Sequence, residues 1–185
     1  SLLSHETSLS AEQKAALQRA IIAYADELLK VQEQDGYKVL IDEDYPWGSN
    51  GLIMNNMLLV SMAYKLSGEA RYLDSVRLSM DYILGRNALN KSFVAGYGAY
   101  PMRHPHHRFW ANDPASGFPA PPAGALSGGP NFNPADPAAD AADLMSQPPS
   151  KRYLDDLQSY TTNEVAINWN APLVWVAAFL DQAGK

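Results

Sequence analysis

The chain has 185 residues, of which 46% are hydrophobic and 18% are charged, so it can bury a core and is not broadly disordered. The net charge of −6 argues against nucleic acid and anionic membranes as partners and suits a neutral substrate. The absence of cysteine excludes disulfides and Cys-ligated zinc, and no apolar run approaches the roughly 20 residues that a membrane span needs.

The first predicted helix covers residues 10–35. Ser10 and Gln13 match a capping box, in which each side chain bonds the other residue's backbone N–H. Apolar residues then follow at helical spacings of 4, 3, 4 and 3 residues: Leu17, Ile21, Tyr24, Leu28 and Val31. Gly36 is the predicted stop, because glycine readily adopts the left-handed conformation that ends many helices. Residues 37–50 read as a connecting loop.

Two further helices are predicted over residues 51–67 and 69–84. The first is apolar around most of its circumference, which indicates a largely buried helix. The second has one apolar face, formed by Tyr72, Val76, Met80 and Ile83. Gly68 and Gly85 end the two helices, and so short a connection between them predicts an antiparallel helical hairpin.

A long proline-rich segment comes next. Eleven of the thirteen prolines lie between Pro101 and Pro149, and residues 109–150 contain no lysine or arginine. We therefore expect a long loop over residues 86–152. Such loops are uncommon in compact domains, and this one is either a solvated surface loop or a functional one.

The last helix is predicted over residues 172–182, with an extension back to about residue 163. Thr162 or Asn163 would cap an initial turn, and the missing N–H of Pro172 would interrupt a regular helix. No segment alternates polar and apolar residues as a half-buried strand does. The predicted class is therefore all-α.

The stretch "PMRHPHHRF" (101–109) holds three of the four histidines, His104, His106 and His107. Three interpretations are open for them: a metal site, backbone hydrogen bonds in a tight loop, or recognition of a neutral substrate such as a sugar. The proline between the histidines argues against the metal site. Arg108 could brace a carboxylate in a fixed geometry.

Two other positions also have alternative interpretations. Glu164 is the only carboxylate in "YTTNEVAINWNAP" (160–172). It is either a carboxylate in the first turn of a helix, which the helix dipole favours, or a general acid. Trp47 in "YPWGSN" (45–50) is either a core tryptophan or a platform for a sugar ring.

Together these stretches resemble glycoside hydrolase family 9, the inverting cellulases and related β-glucanases. The matching stretches keep their order along the chain: "YPWGSN" (45–50), "MDYILGRNALNKSFVAGYG" (80–98), "HPHHR" (104–108), "GGPN" (128–131) and "YLDDLQSYTTNEVAINWNA" (153–171). The last stretch fits the family's second signature at every defined position: Tyr153, Asp155, Tyr160, Glu164, Ala166, Asn170 and Ala171. The first signature is imperfect, because Ala95 and Tyr100 depart from its usual residues and "GRNAL" replaces the common Gly-Arg-Asn-Pro.

The resemblance implies roles for individual residues. Glu164 resembles the general acid that protonates the leaving glycosidic oxygen. Asp155 and His106 belong to the same catalytic set, with Asp155 as a supporting hydrogen bonder. The implied substrate-binding residues are Arg108, Trp47, His107 and Tyr160.

The resemblance also implies the C-terminal part of an (α/α)6 barrel, incomplete without an N-terminal portion. Residues 1–185 are then the C-terminal portion of one catalytic domain, and residues 86–152 form a wall of its cleft. The chain offers about four long helices, too few for six helical hairpins. We therefore expect the helices at 51–67 and 69–84 to expose an apolar patch that the N-terminal portion covers.

An inverting enzyme needs a second carboxylate as general base. In the family this residue comes from an Asp-Ala-Gly-Asp stretch near the start of the domain, which is absent here. "DAAD" (140–143) lacks the glycine and follows "HPHHR" instead of preceding it, so we do not assign it this role. The base is expected outside residues 1–185, and the chain alone is expected to be inactive.

The expected function is hydrolysis of β-1,4-glucosidic bonds in cellulose or a related β-glucan, with inversion. One alternative is an exo-acting relative that releases cellobiose, glucose or glucosamine, and another is a non-catalytic carbohydrate-binding protein. The chemistry requires no cofactor. The resemblance allows a structural calcium ion, with Asp113 as a candidate ligand, and implies a secreted protein, since polymeric glucan lies outside the cell.

Overall fold

The computed structural model describes residues 9–42 and 44–184. Within these residues the chain forms six α-helices, two short 3₁₀ helices and isolated bridges in place of strands. The α-helices are α1 (Ala11–Gln34), α2 (Ser49–Ser67), α3 (Ala70–Ile83), α4 (Pro137–Ala141), α5 (Tyr160–Asn163) and α6 (Ile167–Ala183), and the 3₁₀ helices are Leu144–Ser146 and Pro149–Lys151. The all-α prediction is confirmed. No helix in the described part of the chain has the length and apolar content to cross a bilayer.

Helix α1 begins as predicted and ends differently. The Ser10 hydroxyl accepts the Gln13 N–H at 3.2 Å, and the Gln13 side chain accepts the Ser10 N–H at 2.8 Å. The helix ends at Gln34 with Asp35 as its C-cap, so Gly36 occupies the predicted position just past the end, but it does not adopt the left-handed conformation. Asp35 adopts an extended conformation, and its carboxylate accepts the N–H of Tyr37 at 2.8 Å and so stabilises the turn.

Helix α2 lies at the centre of the fold, because α1, α3 and α6 all pack against it. Its fully buried apolar side chains are Ile53, Met54, Met57, Val60 and Ala63. Gly68 ends α2 in the left-handed conformation with φ 73°, as predicted. Since α3 begins two residues later at Ala70 and packs back against α2, the predicted hairpin is present.

The predicted apolar patch is present on α2 and absent from α3. One stripe of α2 carries apolar side chains that are exposed or half-buried: Leu52, Leu59, Met62 and Leu66. The outer face of α3 is mostly charged. Helix α6 also exposes apolar residues, with Ile167 88% and Val174 71% exposed. We call the exposed sides of these two helices the α2–α6 face.

Helix α6 runs through Pro172, which contradicts the predicted interruption. Pro172 is buried, and its missing N–H leaves the Asn168 carbonyl without its usual helical donor. The first turn is held by Asn170, whose side chain donates to the Ala166 carbonyl at 2.9 Å. Thr162 and Asn163 do not cap this helix, because they belong to the separate short helix α5.

Trp169 fixes the start of α6 against the start of α2. Its indole lies so close to Gly51 that a Cβ there would sit 2.2 Å from Trp169 Cδ1. A Cβ on Gly48 would sit 2.6 Å from the same ring, and Gly48 also has φ 77°. Only glycine at positions 48 and 51 leaves room for the indole, so packing requires the two glycines of "WGSNG" (47–51).

We predict that Gly51→Ala destabilises the protein, although alanine is the better helix former. The added methyl overlaps Trp169, and overpacking of this kind costs about 1–3 kcal/mol of unfolding free energy. Thermal unfolding of the complete protein measures the change. Gly36→Ala is the matched control, since nothing lies within 4 Å of its added methyl. Equal melting temperatures for the two variants would contradict the prediction.

Candidate active site

Three separate segments of the chain meet around Glu164 through backbone hydrogen bonds. The His106 N–H donates to the Asn163 carbonyl at 2.9 Å, and the Gly128 N–H donates to the Glu164 carbonyl at 2.8 Å. The Asn50 N–H donates in turn to the Gly128 carbonyl at 2.9 Å, which connects these segments to the start of α2. We call this arrangement the Glu164 frame. It places the stretches "WGSN", "HPHHR", "GGPN" and "TTNE" side by side.

Glu164 itself lies in an extended backbone conformation, with φ −62° and ψ 147°, directly after α5. It precedes the first residue of α6, Ile167, so the first-turn interpretation is wrong. The residue is half-buried, and no hydrogen-bond donor within residues 9–42 and 44–184 contacts its carboxylate. The carboxylate is therefore available to a bound ligand.

Three aromatic rings lie in a row beside this frame. Trp47 and Tyr160 have ring centroids 6.2 Å apart, and Tyr160 and His106 have centroids 5.8 Å apart. Trp47 is 51% exposed, so it is not a core tryptophan. Three of the predicted site residues thus meet, and we call them the aromatic row.

His106 is held by a hydrogen bond of its ring. Its Nδ1 lies 2.7 Å from the Leu157 carbonyl oxygen. Because a carbonyl can only accept, Nδ1 carries the hydrogen, and Nε2 has no partner within the described residues. This geometry fixes the ring and leaves Nε2 to interact with a ligand.

His107 and Arg108 take different positions. The His107 ring stacks on Trp110 with centroids 3.4 Å apart, and its Nδ1 accepts the Phe109 N–H at 3.2 Å. Burial lowers the pKa of His107, and the nearby His106 adds to this. Trp110 and His107 border a cleft of about 360 Å³ that Val165 also lines. Arg108 is exposed, with no bonded partner in the described part of the chain.

The histidine segment shows the pattern expected for backbone bonding. His104 Nδ1 lies 3.2 Å from the Asn112 carbonyl, and the Nδ1 atoms of His106 and His107 also bond the backbone. Among residues 9–42 and 44–184, no three His, Asp or Glu side chains form a group that could hold a metal ion. The described geometry therefore favours loop stabilisation, with Nε2 of His106 left for recognition.

Asp155 is fully engaged by protein donors. Its carboxylate accepts the backbone N–H groups of Arg103 and His104 at 3.0 and 2.8 Å, and it pairs with Lys91 at 2.8 Å. Burial alone raises the pKa of Asp155, but the Lys91 ammonium and these amides outweigh burial and lower it below its ordinary value. This is the geometry of a supporting group that holds the "HPHHR" loop in place.

Two buried residues that hold the site, Asn163 and Asp136, were not predicted as site residues. Asn163 accepts the Tyr153 hydroxyl and donates to the His104 carbonyl. Asp136 is 1% exposed and bonds the N–H groups of Ala139 and Thr161, so it links the long loop to α5 beside Tyr160. The Asp-Pro pair at the start of α4 is an N-cap signal that could have identified Asp136.

Asp113 does not present an open ligand set. Its carboxylate accepts the Ala115 N–H at 3.2 Å and the Ser116 hydroxyl, both within its own turn. These hydrogen bonds lower the pKa of Asp113, with the Ser116 hydroxyl as the main cause. The turn explains the role of this residue without an ion, and a structural calcium stays a prediction.

Comparisons with known proteins decide the family. The model of "Glycosyl hydrolase family 9" matches residues 2–177. The chain belongs to glycosyl hydrolase family 9. It is 42% identical to a cellulose 1,4-beta-cellobiosidase of Acetivibrio thermocellus and 37% identical to endoglucanase C of Cellulomonas fimi, over 96% and 92% of its length. A metagenome-derived family 9 endoglucanase of known structure superposes with a TM-score of 0.81 over 96% of the chain, at 35% identity.

Family 9 membership also confirms the predicted fold class, since the solved relatives are (α/α)6 barrels. The chain corresponds to 31% of that endoglucanase structure. It spans only 20% and 16% of the two curated relatives.

We predict that Asp155→Asn lowers the unfolding free energy at pH 7 by about 2–3 kcal/mol, because it leaves a half-buried Lys91 without its counter-charge. The folded-state pKa of Asp155 lies below the ordinary value of about 3.9, so the stabilisation is present above that value. It is lost as the pH falls through the lowered pKa. Chemical denaturation between pH 7 and pH 3 should show that the difference in unfolding free energy between Asp155→Asn and wild type becomes smaller as the pH falls.

Asp74→Asn is the control for this experiment. Asp74 pairs with Arg77 at 3.2 Å, but both side chains are at least half exposed, so their ion pair contributes little. A loss of stability as large as that of Asp155→Asn, or a difference that does not change with pH, would contradict the assigned role of the buried carboxylate.

Proposed function

We propose that the protein hydrolyses β-1,4-glucosidic bonds of cellulose or a related β-glucan, with Glu164 as the general acid. The observation that carries this proposal is the half-buried Glu164 carboxylate, which has no bonded partner in the described residues and stands beside an exposed aromatic row. The family and the cellulose-related names of its relatives support the same substrate class.

Glu164 would deliver its proton to the oxygen of the leaving sugar as the glycosidic bond breaks. The hydrogen bonds of the Glu164 frame hold the backbone on both sides of this residue. Such rigid support matters because proton transfer requires the acid within hydrogen-bonding distance of the departing oxygen. His106 Nε2 would accept a hydrogen bond from a hydroxyl of the bound sugar, and the exposed Arg108 would donate to another.

The aromatic row would form one wall of the sugar-binding cleft. Trp47 and Tyr160 are 51% and 36% exposed, and aromatic faces match the apolar C–H faces of pyranose rings. The Tyr160 hydroxyl donates to the Ala135 carbonyl at 3.4 Å, which ties the ring to the long loop. His107 faces Trp110 instead, so its contact with substrate would come through the neighbouring cleft.

An inverting mechanism requires a second carboxylate on the order of 6.5–9.5 Å from the acid, with a water between them. Asp155 cannot take this role in its observed state, because its oxygens are occupied by Lys91 and backbone amides. We assign the base to a part of the catalytic domain outside these residues. The same part would cover the α2–α6 face, whose exposed residues include Ile167 and Val174.

Replacing Glu164 with Gln tests the proposed acid in the complete protein. We expect kcat on a soluble β-glucan to fall by about 10²–10⁴, because the amide cannot donate the proton, while binding of a cello-oligosaccharide changes little. Glu33→Gln removes an exposed carboxylate and is the matched control. An unchanged kcat for Glu164→Gln would remove Glu164 as the acid, and a wild-type protein that binds glucan without cleaving it would favour a non-catalytic role.

A second candidate is exo action that releases cellobiose. The 42% identity to a cellulose 1,4-beta-cellobiosidase favours it, whereas the other two relatives named above are endoglucanases. Chromatography of early products distinguishes the two. We expect mixed oligosaccharides from endo action, and a single small product from the start of the reaction would establish the exo alternative.

We also propose that the protein acts outside the cell. The argument is the substrate, because polymeric glucan cannot enter a cell before it is cleaved. Fractionation of the producing organism tests this, and glucanase activity confined to the cell interior would contradict it.

A further inference from the structure

Lys91, Asp155 and Asn163 form a connected polar chain that ends next to Glu164. Lys91 Nζ lies 2.8 Å from one Asp155 oxygen, and the other Asp155 oxygen accepts the Asn163 amide at 3.2 Å. The two charged side chains are 23% and 13% exposed, so water screens their pairing less than it screens a surface ion pair. Asn163 is directly followed in the sequence by Glu164.

The Asn163 side chain is fixed from several directions. Its amide donates to the His104 carbonyl at 2.7 Å, and its oxygen accepts the Tyr153 hydroxyl at 2.6 Å. Its backbone carbonyl accepts the His106 N–H. Asn163 therefore connects the histidine loop with the peptide that carries Glu164. Because Asn163 is bonded to Asp155, a shift of Asp155 would displace both the loop and this peptide.

Lys91 is also held in place. The side chain of Asn87, which follows α3, donates to the Lys91 carbonyl at 2.8 Å and accepts the Lys91 N–H at 3.4 Å. The ammonium group is the cation paired with Asp155, and the other donors to this carboxylate within residues 9–42 and 44–184 are the backbone N–H groups of Arg103 and His104 and the Asn163 amide. Without Lys91, a mostly buried carboxylate would lose its counter-charge and take up water or move.

We propose that Lys91 is a positioning residue for Glu164, acting through Asp155 and Asn163. The inference rests on the proposed role of Glu164 as general acid. Within the described residues, Lys91 forms no hydrogen bond or ion pair with a residue of the aromatic row, so its removal should leave sugar binding in place and displace the Glu164 carboxylate. An error of about 1 Å in such a group costs up to about 10²-fold in rate.

The test compares Lys91→Met and Lys91→Arg with wild type in the complete protein, using a soluble β-1,4-linked glucose oligosaccharide. We expect Lys91→Met to lower kcat by about 10- to 100-fold with KM within about twofold, because only the transition state needs the aligned acid. Lys91→Arg restores the positive charge and should recover most of the loss. Lys30→Met is the matched control, since Lys30 pairs with Glu27 on the exposed face of α1.

A second measurement does not depend on the reaction. Hydrogen exchange at the amides of Arg103 and His104 reports directly on the Asp155 carboxylate, and both amides should exchange faster in Lys91→Met but not in Lys30→Met. If the wild-type protein had no glucanase activity, the proposed function would be wrong. The exchange rates of the Arg103 and His104 amides would still show whether Lys91 holds Asp155 and Asn163 in place. An unchanged kcat together with unchanged exchange, or a Lys91→Arg variant as slow as Lys91→Met, would overturn the inference.

Discussion

The hydrogen bonds that the Asn163 and Glu164 carbonyls accept from His106 and Gly128 are the constraint on which the site depends. They replace the helical bonding that ends at Asn163 and keep the following backbone extended. Glu164 therefore leaves the helix at a defined angle, between two other segments. A carboxylate with fixed backbone and unbonded oxygens is a suitable arrangement for an acid, because its orientation does not have to be acquired when the ligand binds.

The helices support this frame through close approach of their first turns. Trp169 fills the space above Gly48 and Gly51, and the Asn50 side chain donates to the Ser127 carbonyl at 2.9 Å. Asn170 bonds both backbone groups of Leu126. The residues that lead into "GGPN" (128–131) are therefore bonded to both α2 and α6, and the site lies where these two helices begin. Packing and polar bonding act here on the same few residues.

The sequence predicted the long helices well, because their apolar spacing and the capping box of Ser10 are local signals. It failed at the ends that depend on neighbours. Gly36 follows the C-cap of α1 as predicted, but it is not left-handed, and the Asp35 carboxylate stabilises the following turn instead. The helix through Pro172 persists because packing against α2 outweighs one missing hydrogen bond. The apolar patch was expected on both α2 and α3; it is present on α2, but the outer face of α3 is mostly charged and α6 carries further exposed apolar residues.

For the site, the sequence by itself determined which residues belong together, because the stretch from Tyr153 to Ala171 and the "HPHHR" stretch resemble the family 9 signatures and so pointed to Glu164 and His106. Only the tertiary structure decided what each residue does. In the folded chain the Glu164 carboxylate has no bonded partner in the described residues, whereas Asp155 is fully bonded and pairs with Lys91. His107 stacks on Trp110 and does not belong to the aromatic row. Residue types and their spacing indicate which functional groups a site can contain. Partners far apart in the sequence meet only when the chain packs, and the bonds they form then determine which groups are free to react.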